Sequence, residues 1–230
     1  MANRWPIGDN LSLAHLYRQV LASAHVGCPT GRATSAGRRP VAARLTRYFT
    51  PRETEARTVL IAALDSDRYL RLLAAIDRLL AAPSLTRLAS RRARRELPAL
   101  IGRTYRRVDR HVRAADQLSG HDRDVEWHEG RKAAKRLRYA GEAAAPVLGK
   151  PAKRLVKRVK QVQEILGDHQ DAVVACPVLR EIGMQAYLDG ENGFTYGVLH
   201  ERETAGTELV QADVEDAFRT LRRSTADVAT

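Results

Sequence analysis

Residues 128–139 read HEGRKAAKRLRY, with five Arg or Lys in twelve positions. At about 100° per residue, His128, Arg131, Lys132, Lys135, Arg138, Tyr139 and Glu142 gather within roughly a third of a helical turn. Ala133, Ala134, Leu137, Ala140, Gly141 and Ala144 fall on the opposite side. A strand alternates with period two and would mix the two sets on both faces. Only a helix sorts them, with the cations as a face and small apolar residues as a seat that admits a close neighbour.

The next segment repeats the design. Lys150, Lys153, Arg154, Lys157, Lys160 and Gln161 share one face, with Leu155, Val156, Val159, Val162 and Leu166 opposite. Only the short link around Gly149 separates the two helices, which makes them antiparallel neighbours. Like charges four apart on a helix repel by a few tenths of a kcal/mol per pair. Two such stripes side by side oppose folding of the free chain, and a polyanion laid across them reverses the sign.

Helical spacing also governs the flanks. Val59, Leu60, Ala63 and Leu64 share a face, and Tyr69, Leu70, Leu73, Ile76, Leu79 and Leu80 recur at three and four until Pro83. Ser84 is an N-cap candidate, and Pro98 suits the start of a helix over 98–118. Asp122 caps the motif helix, which is expected to end before Pro146. Further helices are expected over 150–166, stopped by Gly167, over 170–188 and over 194–224. Aromatic residues are only 5% of the chain and no useful β-like alternation occurs. The fold class is therefore all-α, a helical bundle of six to eight helices. Residues 1–52, broken by Pro6, Pro29, Pro40 and Pro51 and by four glycines, are expected to be irregular and partly disordered, apart from a helix over 11–24. Residues 53–225 form the helical domain.

The formal net charge is +12, unevenly spread. Residues 1–127 hold 23 basic and 12 acidic groups, residues 128–160 hold 11 and 2, and residues 161–230 hold 5 and 13, giving +11, +9 and −8. The focus lies on the two stripes and calls for an anionic partner. Arg grips phosphate oxygens in bidentate fashion, and Lys acts as a mobile point charge. Tyr139 and His128 add hydrogen-bond donors. The stripe has little with which to read bases, since Tyr139 is its one aromatic. This favours backbone phosphate as the thing recognised, with nucleic acid as the alternative partner. Arg103, Arg106, Arg107, Arg110 and Arg113 are candidates to extend the patch.

Two cysteines, Cys28 and Cys176, stand far apart with no metal-ligand spacing, which fits a reducing cytoplasm and no structural metal. No run reaches the roughly 18 apolar residues of a membrane span, and His15, Arg18 and Gln19 interrupt the early apolar run against a signal peptide. His128–Glu129 begins like a zinc motif, but Lys132 stands where the second His is needed. Asp168, His169 and Asp171 are read as capping residues rather than metal ligands.

HEGRKAAKRLRY followed by KRVKQVQEILGDHQDA resembles the CHAD domain, an α-helical domain named for its conserved histidines. The pattern H-x-x-R-K-x-x-K-R-L-R-Y falls on His128, Arg131, Lys132, Lys135, Arg136, Leu137, Arg138 and Tyr139. The pattern K-x-x-Q-x-x-L-G-x-x-x-D falls on Lys160, Gln163, Leu166, Gly167 and Asp171. The resemblance spans residues 60–223. It implies a helical bundle of two similar halves and non-enzymatic binding of inorganic polyphosphate in a basic channel, with no cofactor. It also implies a cytoplasmic place at polyphosphate granules in some members. The family's first-half copy of the His/Arg motif is absent from residues 1–58, so the N-terminal half is degenerate or truncated. A homodimer would then complete the channel. Arg38, Arg39, Arg44 and Arg47 are left out of the site for that reason. The expected polyphosphate-binding set is His128, Arg131, Lys132, Lys135, Arg136, Arg138, Tyr139, Lys153, Arg154, Lys157 and Lys160.

Overall fold

A computed structural model describes residues 38–229. Among them are six α-helices and no strand: α1 (Arg38–Leu64), α2 (Asp67–Ala81), α3 (Ala93–Ala115), α4 (Gly120–Leu148), α5 (Lys150–Leu188) and α6 (Phe194–Ala229). A 3-10 turn, Arg87–Ser90, precedes α3. The all-α expectation holds. The helix expected over 11–24 lies outside the described residues.

The boundaries differ from the sequence reading in instructive ways. Residues 38–52, expected to be irregular, are helical, and Pro51 sits inside α1. α3 starts at Ala93, so Pro98 lies inside it rather than opening it, and Ser84 caps nothing. α4 runs through Pro146 to Leu148. The expected helices over 150–166 and 170–188 are one rod, α5, unbroken at Gly167. The sharp stops at Gly149 and Gly190, where the sequence puts a short link and a helix closure, hold, with φ values of 66° and 77° that only glycine adopts without strain.

The chain divides into two compact units. The first, residues 38–85 and 177–200 among those described, includes α1, α2 and the stretch joining α5 to α6. Leu45, Leu179, Ile182, Ala186 and Tyr196 are buried there. Arg44, only 7% exposed, donates from Nε and Nη2 to the Glu191 carboxylate at 2.9 and 2.7 Å and from Nη2 to Asp189 at 2.6 Å. The hydrogen bonds it donates, together with its charge, hold Glu191 below the usual carboxylate range. Ser66 caps α2, accepting from the Tyr69 amide, yet α2 buries none of its residues.

The second unit, residues 86–176 and 201–230, holds the larger core. Ile101, Val108, Val112 and Ala115 of α3 meet Trp127, Ala133, Ala134, Leu137 and Ala144 of α4 and Leu155, Val159, Val162 and Leu166 of α5. Val210, Val214, Phe218, Leu221 and Val228 of α6 complete it, at the three-and-four spacing of one helix face. Phe218 stacks on Tyr105 with ring centres 5.9 Å apart.

A candidate anion-binding seam

α4 and α5 lie antiparallel in the second unit. Near one end a Cβ on Gly141 would stand 2.9 Å from Val156 Cγ2 and 3.8 Å from Leu155 Cδ2. Farther along, Gly130 faces Leu166, and at the other end His128 meets Gln170. The small residues of α4 therefore do what the sequence asked of them. They let α5 approach closely enough for the flanking side chains of both helices to share a seam.

The contacts identify which edge of that seam carries the charge. Gly130 against Leu166 belongs to the core side. On the other side the Arg131 guanidinium reaches over α5, its Nε 3.6 Å from where a Cβ on Gly167 would be. Steps of four and seven from Arg131 lead to Lys135 and Arg138. Steps back of seven from Gly167 lead to Lys160 and then Lys153, with Lys157 between them. Arg131, Lys135 and Arg138 thus flank the same outer edge as Lys153, Lys157 and Lys160.

Lys132, Lys135, Tyr139, Lys153, Lys157 and Lys160 are exposed, while His128, Arg131 and Arg138 are half-buried. Lys132 pairs with Glu129, and Arg138 lies 3.7 Å from Glu142 and over the Tyr139 ring. Among the described residues no carboxylate lies within ion-pair distance of Lys135, Lys153, Lys157 or Lys160. Two expected members stand apart. Arg136 points about 100° away from the stripe on α4. Arg154 sits on the far flank of α5, where its Nη2 is 3.6 Å from Asp227 of α6. Of the arginines on α3, Arg103, Arg106, Arg107 and Arg110 are exposed, while Arg113 binds Asp109 at 2.9 Å.

At the end of the two helices where His128 meets Gln170 lies a set of polar contacts that the sequence reading missed. His169 Nε2 bonds Asp124 Oδ1 at 2.9 Å and stacks edge-on against Trp127. His111 Nδ1 meets Glu126 at 2.7 Å. His128 Nδ1 meets the Oε1 of Gln170, a buried residue, at 2.9 Å. Asp168, His169 and Asp171 lie within α5, so they are neither caps nor, among the described residues, part of a possible metal-ion cluster. The pairing of His169 with Asp124 spans 45 residues, and no local spacing announces it.

The CHAD domain profile matches residues 13–180. The chain belongs to the CHAD domain family. The match begins well before residue 60 and ends before residue 223, so the CHAD domain takes in the N-terminal region that the motifs alone did not reach. Two relatives, each named only as an uncharacterized protein of Mycobacterium tuberculosis, are 37% identical over 176 residues. That alignment covers 75% of this chain and 32% of each relative, so this CHAD protein spans about a third of the length of the curated relatives it matches. No solved structure matches it. No helix among the described residues is long and apolar enough to cross a membrane.

Proposed function

We propose that this CHAD protein binds inorganic polyphosphate, without turning it over, along the outer edge of the α4/α5 seam. The observation that carries the reading is the set of exposed lysines without carboxylate partners, Lys135 on α4 and Lys153, Lys157 and Lys160 on α5, with Arg131 laid across the seam at Gly167. A helix advances about 5.4 Å per turn, so an extended phosphate chain meets a fresh cation at each turn of either helix. The cytoplasmic surface of polyphosphate granules is the place such a chain would work. A second copy, pairing through the degenerate first half, would lengthen the cationic track.

Titration with long-chain polyphosphate at several salt concentrations tests this. Affinity should fall steeply with salt, as counterion release requires, and Lys135→Glu combined with Lys157→Glu should abolish binding. Full affinity in that double variant would sink the assignment. Displacement of polyphosphate by RNA or DNA at equal phosphate concentration would make the site a general polyanion surface. Release of orthophosphate from polyphosphate would show an enzyme instead. The mass of the complex reports whether one copy or two holds the polymer.

A further inference from the structure

We propose that Gln170 fixes His128 as its Nδ1–H tautomer, so that the ring can donate to phosphate only as the imidazolium, and polyphosphate binding takes up a proton. This rests on the functional reading above and deepens it. The geometry starts at the 2.9 Å contact between His128 Nδ1 and Gln170 Oε1. With the amide oxygen turned toward the ring, as it lies here, the hydrogen sits on Nδ1, because an amide oxygen only accepts. Gln170 is buried on α5 and cannot follow the ring if it turns. In the neutral ring Nε2 is then a bare lone pair, which repels a phosphate oxygen. In the protonated ring Nε2 carries both a hydrogen and a share of the charge.

The choice of partner matters. His111 has the Glu126 carboxylate on its Nδ1. His128 has a neutral amide in the same role, so its hydrogen-bond partner brings no counter-charge. The other charged groups around His128 are mixed. On α4, Asp124, Arg131 and Lys132 stand about one turn away, and Glu129 is adjacent and already engaged by Lys132. Asp171 follows Gln170 on α5, and His111 faces the group from α3, its charge and that of His128 both acting on Glu129. A bound phosphate therefore adds counter-charge at His128 beyond what Glu129 already supplies.

Nitrogen-15 NMR of the histidine-labelled, ligand-free chain, with His128→Gln for assignment, should show the neutral His128 ring protonated on Nδ1. Calorimetric titration with polyphosphate in buffers of different ionisation enthalpy should then show proton uptake in the wild type beyond that of His128→Gln. If binding takes up a proton at His128, wild-type affinity should fall as pH rises, by up to tenfold per pH unit, and His128→Gln should be flat by comparison. Gln170→Glu, which charges the ring in advance, should keep affinity to higher pH while losing the extra uptake. A merely structural role for Gln170 would not produce that exchange. A bare Nδ1 in the ligand-free ring overturns the proposal whether or not polyphosphate binds, as does equal proton uptake in wild type and His128→Gln. Absence of polyphosphate binding with Nδ1 protonated overturns the functional reading instead and leaves the tautomer standing.

Discussion

His169 is 3% exposed, with Nε2 on Asp124 and Nδ1 buried without a hydrogen-bond partner. Burial pushes its pKa down more than the Asp124 carboxylate pulls it up. The folded chain therefore resists protonating His169 where the unfolded chain accepts it. Between the two values the unfolded state binds more protons, so stability rises with pH and is lost as pH falls below the ordinary histidine range. Denaturant melts from pH 5 to pH 8 should show that slope, and His169→Gln should flatten it even if the variant is less stable throughout. At this scale the sequence was legible where a residue acts alone. Lys135, Lys157 and Lys160 fall where their spacing puts them, exposed on one edge. It was not legible where a residue acts through a distant partner. Gln170 looks like any polar helix residue until α4 brings His128 against it, and Arg154 looks like part of the stripe until Asp227 takes it.

The α4/α5 pair depends on the absence of a side chain at Gly141. A Cβ there would meet Val156 Cγ2 at 2.9 Å, and a β-branched valine has little rotamer freedom with which to give way. Gly141→Val should cost about 1–3 kcal/mol by overpacking, read as a lowered denaturation midpoint, and should weaken polyphosphate binding by spreading the two cationic rows. Val156→Ala in the same chain should recover part of the stability. Helix existence and amphipathic faces could be read directly from the sequence; of the helix ends, those at Ala81, Lys150, Leu188 and Phe194 could, and those suggested by Pro98, Pro146 and Gly167 could not. Gly167 costs roughly 1 kcal/mol against alanine in a helix, which reads as a stop. Yet Leu166, His169, Gln170 and Ala172 around it are all buried, and packing on both sides carries α5 through. Pro146 and Pro177 each remove one backbone hydrogen bond, and the helices continue past them for the same reason.

The two units differ in how well they cover themselves. The second has a continuous core drawn from four helices. In the first, Leu70, Leu72, Leu73, Ile76, Leu79 and Leu80 of α2 all remain exposed, Leu80 at 77%, and α2 buries nothing. Apolar surface on that scale binds dyes that seek hydrophobic patches. Leu73→Glu with Leu80→Glu should lower the fluorescence of such a dye and leave the helical circular dichroism of the rest intact. The amphipathic pattern of α2 was plain in the sequence, but a pattern tells which side wants burial, not whether anything covers it. The cationic rows have a different relation to the chain: they sit on α4 and α5, which a single glycine joins. Closing so short a loop sacrifices little chain entropy, and the contacts described across the seam pair residues between Asp124 and Gln170. On a ribosome, that hairpin can zip from Gly149 outward before α6 has been synthesised. The edge that faces phosphate is thus among the earliest parts of the molecule able to take shape, while its apolar back waits for the last helix to arrive.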